Sequence, residues 1–308
     1  MTKEEEKKNF HCGLVSIVGR PNVGKSTLLN TILDEKVSIV SKVPQTTRNQ
    51  VRGIYTDERG QIVFIDTPGF HLGKDRLDQF MYQSSATTFH DVDCLIYLVD
   101  TSRRIGEEEE KISQALKSVH IPIILGLNKV DLKADHLPEY ISLWEKAKGK
   151  AINEIENFTL IALSGKDKIN IDKLLDIIFN YLPEGEALYP LDTICDIPQK
   201  MVMADIIREK LFNLMREEVP HSLGVAIEDI RPLQKKILNI KALIFVERNS
   251  QKEIVIGKKG EVLKRIGTQA RQELEQLLET KVFLELYVKV KKDWRNDVSI
   301  LQELGLSY

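Results

Sequence analysis

One run of eight residues, Gly19-Arg20-Pro21-Asn22-Val23-Gly24-Lys25-Ser26, constrains this chain more than any other. It follows an apolar stretch, Leu14–Val18, and opens a helical pattern, Lys25–Leu33. Two glycines let the backbone curl its N–H groups round a phosphate, and the helix N-terminus behind them adds its dipole. Lys25 is placed to reach the β- and γ-phosphates of a nucleotide, and Ser26 to hold Mg²⁺.

The surrounding pattern suits such a loop. Leu14–Val18, Gln61–Ile65, Cys94–Val99, Ile121–Leu127 and Phe158–Leu163 read as buried strands. Helical patterns at Lys25–Leu33, Arg76–Phe89, Glu107–Ser118, Glu139–Lys148 and Ile171–Leu182 lie between them. Short apolar runs separated by helices imply a mostly parallel sheet covered on both faces. Val51–Asp57 and Gln61–Asp66, joined by Glu58-Arg59-Gly60, read as a hairpin, so one edge should be antiparallel. The acids Glu107–Glu110 read as a solvated first helical turn favoured by the dipole.

Pro183-Glu184-Gly185-Glu186 and Pro190 break the pattern and suit a linker. Beyond it, Val202–Glu217 reads as a helix, Gly224–Ile230 and Ile237–Val246 as strands, Glu261–Leu278 as a long amphipathic helix, Val282–Val290 as a strand and Asp293–Leu304 as a closing helix. The expected layout is a tail at 1–10, an α/β domain at 11–182, a linker at 183–199 and a smaller α+β domain at 200–308.

No apolar stretch approaches the roughly 18 residues needed to span a bilayer. The N-terminus lacks the apolar segment of a secretory signal. The three scattered cysteines suit reduced thiols in a cytoplasmic protein, and the six histidines form no zinc-binding pattern. A net charge of −2 over 308 residues argues against nucleic acid when read whole. Divided at residue 190, the first part holds 24 basic and 28 acidic residues and the second 20 and 18. The sum therefore averages an acidic half and a mildly basic one.

Three further segments extend the phosphate loop. Asp66-Thr67-Pro68-Gly69 follows a strand; its carboxylate can hold Mg²⁺ through water, and the Gly69 N–H can meet a γ-phosphate. Asn128-Lys129-Val130-Asp131 follows the strand Ile121–Leu127. The Asp131 carboxylate can accept from guanine N1–H and N2–H₂, a donor pair adenine lacks; alone, the segment would read equally as a turn. Ser164-Gly165-Lys166 follows Phe158–Leu163 and can supply the last base contact.

These four segments in this order resemble the TRAFAC-class GTPases with a P-loop α/β domain. Gln45-Thr46-Thr47-Arg48 and Asp66-Thr67-Pro68-Gly69-Phe70 are similar to those of ribosome-assembly GTPases. The resemblance implies GTP and GDP as ligands, held by residues 19–27 (Thr27 included), Asp66–Gly69, Asn128, Lys129, Asp131 and Ser164–Lys166. It implies Mg²⁺ on Ser26 and Thr47, with Asp66 behind a water. Lys25, Thr47 and Gly69 then face the transferred phosphate. Phe70 stands where Ras-like proteins carry a water-orienting Gln, so water must be positioned otherwise. In related GTPases the residue matching Asn22 coordinates K⁺. The last loop departs from the usual Ser-Ala pattern, so Ser164 carries over more directly than Gly165 or Lys166.

Ile256-Gly257-Lys258-Lys259-Gly260 opens the Glu261–Leu278 helix. A Gly-Lys-Lys-Gly loop there offers N–H groups and cations to a nucleic-acid backbone, although a tight turn explains GxxG as well. From Ile256 to Arg271 there are five bases, Lys258, Lys259, Lys264, Arg265 and Arg271, against Glu261. A solvated basic face is the plainer reading. The segment resembles a type II KH domain, order α–β–β–α–α–β, and the whole chain resembles the Era family of GTPases. Pattern alone makes Glu253–Ile256 a strand; the resemblance makes it a short helix. Tyr287 stands where the family's Trp is expected. The resemblance implies a slow GTPase switch that binds 16S ribosomal RNA near its 3′ end and acts in assembly of the small (30S) ribosomal subunit.

Two other readings stand beside it. One is an RNA-binding assembly factor whose GTP is mainly structural. The other is a signalling GTPase, peripheral at the inner face of the cell membrane, resting on Lys289, Lys291, Lys292 and Arg295 beside Trp294.

Overall fold

The computed structural model describes residues 10–40, 51–67, 75–79, 81, 91–133, 135–215, 222–234 and 236–306. Residues 1–9 of the expected tail, Gln45–Arg48, Pro68–Phe70 and most of the Arg76–Phe89 helix lie outside them. The described residues fall into two compact units. One takes in residues up to Ser38, those from 51 to 67, and Met81 to Asp196; the other takes in 39–40, 75–79 and Ile197 onward.

The first unit is built on a seven-stranded sheet, with β1 at His11–Val18, β2 at Val51–Asp57, β3 at Gly60–Asp66, β4 at Cys94–Asp100, β5 at Ile123–Asn128, β6 at Phe158–Ala162 and β7 at Cys195–Asp196. Their order is β6-β5-β4-β1-β3-β2-β7. β6 to β3 run parallel, and β2 is antiparallel to β3, as the hairpin pattern predicts. Helices α1 (Lys25–Leu33), α2 (Glu107–Leu116), α3 (Leu137–Lys148) and α4 (Ile171–Tyr181) alternate with the strands. Every residue of β3 and β4 is buried, which explains their unbroken apolar runs. Tyr97, Trp144 and Ile112 belong to one core cluster, with Trp144 stacked on Phe158 at 5.3 Å.

The Pro/Gly-rich run at 183–196 is bonded to the same sheet. Cys12 N–H donates to the Pro183 carbonyl at 3.0 Å, and Ile54 N–H to that of Ile194 at 2.7 Å. The fully buried Gln61 amide bonds both backbone groups of Tyr189. β7 then pairs with β2 and becomes the sheet edge, which the hairpin alone did not foretell.

The second unit follows the order α5 (Gln199–Leu214), β8 (Gly224–Gln234), β9 (Ile237–Val246), α6 (Asn249–Ile256), α7 (Glu261–Leu277) and β10 (Lys281–Val290). That is the α–β–β–α–α–β order. β8 and β9 are antiparallel, while β9 and β10 are parallel. Inward residues of β9, Ile240, Ala242, Ile244 and Val246, meet Ile266, Ala270 and Leu274 from α7 and Ile207 and Leu211 from α5 in one core. Glu253–Ile256 is the end of α6, so the β-branched residues there are helical, contrary to their pattern. The closing helix is shorter than Asp293–Leu304. A 3₁₀ turn at Trp294–Asn296 precedes α8 (Val298–Glu303), because Asp293 adopts φ 58° and Asp297 caps α8 by accepting from Ser299 and Ile300 N–H.

The chain's two tryptophans lie one in each unit. In a Trp144→Phe background, fluorescence therefore reports the second unit through buried Trp294. Leu274→Ala should cost that unit's urea transition about 2–5 kcal/mol, the usual loss for a fully buried Leu. A shift below about 0.5 kcal/mol would contradict the packing described.

Candidate functional site

The loop between β1 and α1 carries the strain the motif demands. Gly19 has φ 155°, Asn22 φ 65° and Gly24 φ 104°. A Cβ on Gly19 would stand 2.3 Å from the Leu98 carbonyl oxygen, and one on Gly24 2.6 Å from Asn128 Nδ2. Neither position tolerates a side chain.

Lys25 starts α1 and is 6 % exposed. Its Nζ donates to the Gly19 and Arg20 carbonyls, each at 3.0 Å. Burial pulls the Lys25 ammonium down to about 8, with Asp66 and Glu108 offsetting part of the effect. Ser26 Oγ donates to Asp66 Oδ2 at 2.8 Å, and Ser38 Oγ to the same oxygen at 3.0 Å. A hydroxyl and a carboxylate this close form a hard-oxygen set fit for Mg²⁺. Ser38 had no motif to announce it. It is held by Asn30, whose Oδ1 accepts from Ser38 N–H and whose Nδ2 donates to the Ser38 carbonyl. Thr67 Oγ1 is tied back to the Ile17 carbonyl at 2.9 Å.

The base-side segments converge on the same loop. Asn128, at the end of β5 and 2 % exposed, donates from Nδ2 to the Val23 carbonyl at 2.7 Å and accepts from Gly165 N–H at 3.1 Å. Lys129 Nζ donates to the Asn22 carbonyl at 2.8 Å and pairs with Asp100 Oδ2 at 2.6 Å. Burial raises the Asp100 carboxyl, but hydrogen bonds from Lys129 and Ser102 outweigh it and hold the group below the usual carboxylate range. Asp100 is a site residue that sequence reasoning missed. Ser164 Oγ donates to Asp131 Oδ1 at 2.6 Å, so the acid expected to read a base already has a partner that orients it. Lys166 is exposed beyond this cluster. Thr47, Pro68 and Gly69 lie outside the described residues. Among the described residues, no cluster of His, Cys, Asp and Glu could hold a metal on its own.

The second unit presents its expected residues on one element junction. Gly257 ends α6, Lys258–Gly260 forms a 3₁₀ turn with Lys259 at φ 52°, and α7 begins at Glu261. Lys258, Lys259, Lys264, Arg265 and Arg271 are all exposed, while Ile266, Ala270 and Leu274 face the core. The helix therefore divides into an apolar face and a cationic one. The other basic group, noted in sequence beside Trp294, is dispersed. Trp294 is fully buried; Lys289 pairs with Glu228, Lys291 with Asp297, and Arg295 with Asp75 and Asp78.

Comparison with known proteins shows the family. Residues 14–129 match the family described as a 50S ribosome-binding GTPase, and residues 218–295 match the KH domain. The chain is 42 % identical to the GTPase Era of Halothermothrix orenii, over 96 % of this chain and 99 % of that protein. It is 44 % identical to the GTPase Era of Geotalea daltonii, over 97 % and 99 %. Two solved structures, each 39 % identical, cover 97 % of this chain and 100 % of theirs. One is an Aquifex aeolicus Era variant bound to GDP and AlF₄⁻, with a TM-score of 0.89. The other is Era with MgGDPNP and nucleotides 1506–1542 of 16S ribosomal RNA, with a TM-score of 0.90.

The lowered Lys25 pKa sets a pH signature. An anion on the loop favours the charged ammonium, so affinity is full where free Lys25 is already protonated and falls as pH rises through about 8. Nucleotide dissociation constants measured across this range should weaken by up to roughly tenfold per unit above it. A flat profile would contradict the role given to Lys25.

Proposed function

Because the chain belongs to the Era family of GTPases, we propose that the loop at 19–26 is its nucleotide site and that the α6–α7 junction is its RNA-binding element. The protein is a GTPase that binds 16S ribosomal RNA and acts in assembly of the small ribosomal subunit. One observation carries the assignment of residues. Asn128 and Lys129 bond directly to the phosphate loop, which brings the base-reading Asp131 and the phosphate-holding Lys25 into one site.

In this reading the guanine N1–H and N2–H₂ donate to Asp131, already aimed by Ser164. The Lys25 ammonium leaves the Gly19 and Arg20 carbonyls for the phosphate oxygens, and the loop N–H groups close round them. Ser26 and Thr47 would hold Mg²⁺, with Asp66 behind a water; the bound ion would supply charge neutralisation at the phosphates. The resemblance assigns the Gly69 N–H to the γ-phosphate. Because residue 70 is Phe, water is positioned by another group, and the resemblance assigns Asn22 to a K⁺ that would assist. Loss of the γ-phosphate contacts releases the segments that hold Thr47 and Gly69, which is how such switches change state. The cationic face of α7 and the Lys258-Lys259 turn lie along a single RNA strand, whose splayed bases meet the groove beside them. No described helix is long and apolar enough to cross a membrane. Of the cations near Trp294, Lys289, Lys291 and Arg295 are engaged in ion pairs and Lys292 is exposed.

Competition binding tests the base assignment. Asp131→Asn should weaken GTP by about 100-fold or more and shift preference towards xanthosine nucleotides, since a donor pair is left unmatched. Equal affinity of the unaltered protein for ATP and GTP would overturn it. The RNA assignment has its own test: Lys258→Asp with Lys259→Asp should abolish binding to a 16S 3′-end fragment while GTP affinity stays within about twofold, as expected for a loss of phosphate contacts. Turnover that is the same in Na⁺ and K⁺ buffers would remove K⁺ from the mechanism.

A further inference from the structure

The acidic run Glu107–Glu110 is not the uniformly solvated turn its composition suggests. Glu107 and Glu110 are exposed, but the Glu109 side chain is 1 % exposed. Its Oε1 lies 2.6 Å from Nε of Arg20, whose side chain is 10 % exposed. Its Oε2 accepts from Gly106 N–H at 2.9 Å, which fixes the start of α2, and the Tyr140 hydroxyl of α3 donates to Oε1 at 3.4 Å. Arg20 Nη1 donates to the Arg104 carbonyl at 3.5 Å. Burying a charge pair is costly, and breaking one strands a charge in a dry environment.

The pair's location gives it a purpose. Arg20 is the second residue of the phosphate loop, and its carbonyl is one of the two that hold Lys25 Nζ. A loop with Asn22 and Gly24 at positive φ persists only where its surroundings fix it. Asn22 and Val23 are fixed through their carbonyls by Lys129 and Asn128, both from the base-reading segment. The Arg20 end is held from a different element, by Glu109 of α2.

We propose that Glu109 is a positioning residue for the nucleotide: through Arg20 it fixes the first half of the phosphate loop in its binding conformation. The proposal rests on the GTP-binding reading of this site, and the experiment separates the two. GDP and GTP dissociation constants, KM, kcat and thermal midpoints would be measured on the full chain. Glu109→Gln should raise the dissociation constants and KM by about tenfold or more while kcat stays within about twofold. Glu109→Asp, which restores the charge, should recover most of that loss. Adding Arg20→Met to Glu109→Gln should cost little further affinity, because the two act as one unit. Glu110→Gln, on the exposed side of the same turn, should match the unaltered protein. Nucleotide affinity within about twofold of the original in Glu109→Gln overturns the proposal, whether or not the thermal midpoint falls. So does a fall in kcat at unchanged KM. If Glu109→Gln does not fold, Arg20→Lys serves in its place, with a severalfold rise in KM expected and an unchanged KM overturning the idea. Lys25→Ala is the control. Retained affinity there would overturn the nucleotide site itself, whereas loss there with no effect at Glu109 overturns only this inference.

Discussion

The structure of the first unit turns on keeping a strained backbone loop open. A phosphate is bound by N–H groups that all point inward, and that arrangement requires backbone conformations most residues avoid. Gly19, Asn22 and Gly24 adopt them, and within the loop Lys25 Nζ holds only the Gly19 and Arg20 carbonyls. The sheet supplies the restraint. β4 and β5 end in Asp100 and Asn128, beside the loop rather than in it. From there Asn128 reaches the Val23 carbonyl directly, and Asp100 aims Lys129 at the Asn22 carbonyl. The order β5-β4-β1 thus places the strand ends that brace the loop next to the strand that leads into it.

The same constraint explains the site's charge balance. Lys25 must be buried to sit at the head of α1, and burial alone would favour its neutral form. Asp66 and Glu108 counter this from outside the loop. Asp66 is also bonded by Ser26 and Ser38, so one carboxylate serves both the ammonium's electrostatics and the proposed cation site. Acidic groups near a site meant for a triphosphate look paradoxical until these partners are counted. They set the charge of the protein's own cations.

Contiguous motifs were legible in the sequence because their chemistry is local. A strand, a glycine loop and a helix in succession can be read without knowing what lies opposite. Asp100, Glu109 and Ser38 were not legible, because their roles arise from partners far along the chain: Asp100 with Lys129, Glu109 with Arg20, and Ser38 with Asp66. Composition even pointed the wrong way for Glu109, since four acids in a row read as solvent-facing and only the 3.6-residue turn decides which of them points inward. At Glu253–Ile256 the pattern alone misled, and the resemblance gave the helix that is found. Its β-branched residues suit a strand, but a helix of eight residues with Val255 alone fully buried wins once α7 and β10 pack beside it. The split of the last helix followed from Asp293 at positive φ and the Asp297 cap, a pair of acids that composition cannot distinguish from any other.

The second unit shows why the whole-chain charge misled. From Arg248 to Asp297 there are 12 basic and 8 acidic residues, a modest excess. Several of those bases are consumed within the fold, as with Lys289, Lys291 and Arg295. The cations along the Lys258-Lys259 turn and α7 remain exposed, and they cluster where a helix begins. A surface with so few cations gains little from counterion release compared with a polybasic arm. If this surface binds RNA as proposed, its affinity comes largely from contacts to unstacked bases, which is the mode that suits a single strand. In that reading salt sensitivity and sequence preference are linked: the fewer phosphates the domain neutralises, the more of its binding rests on base contacts.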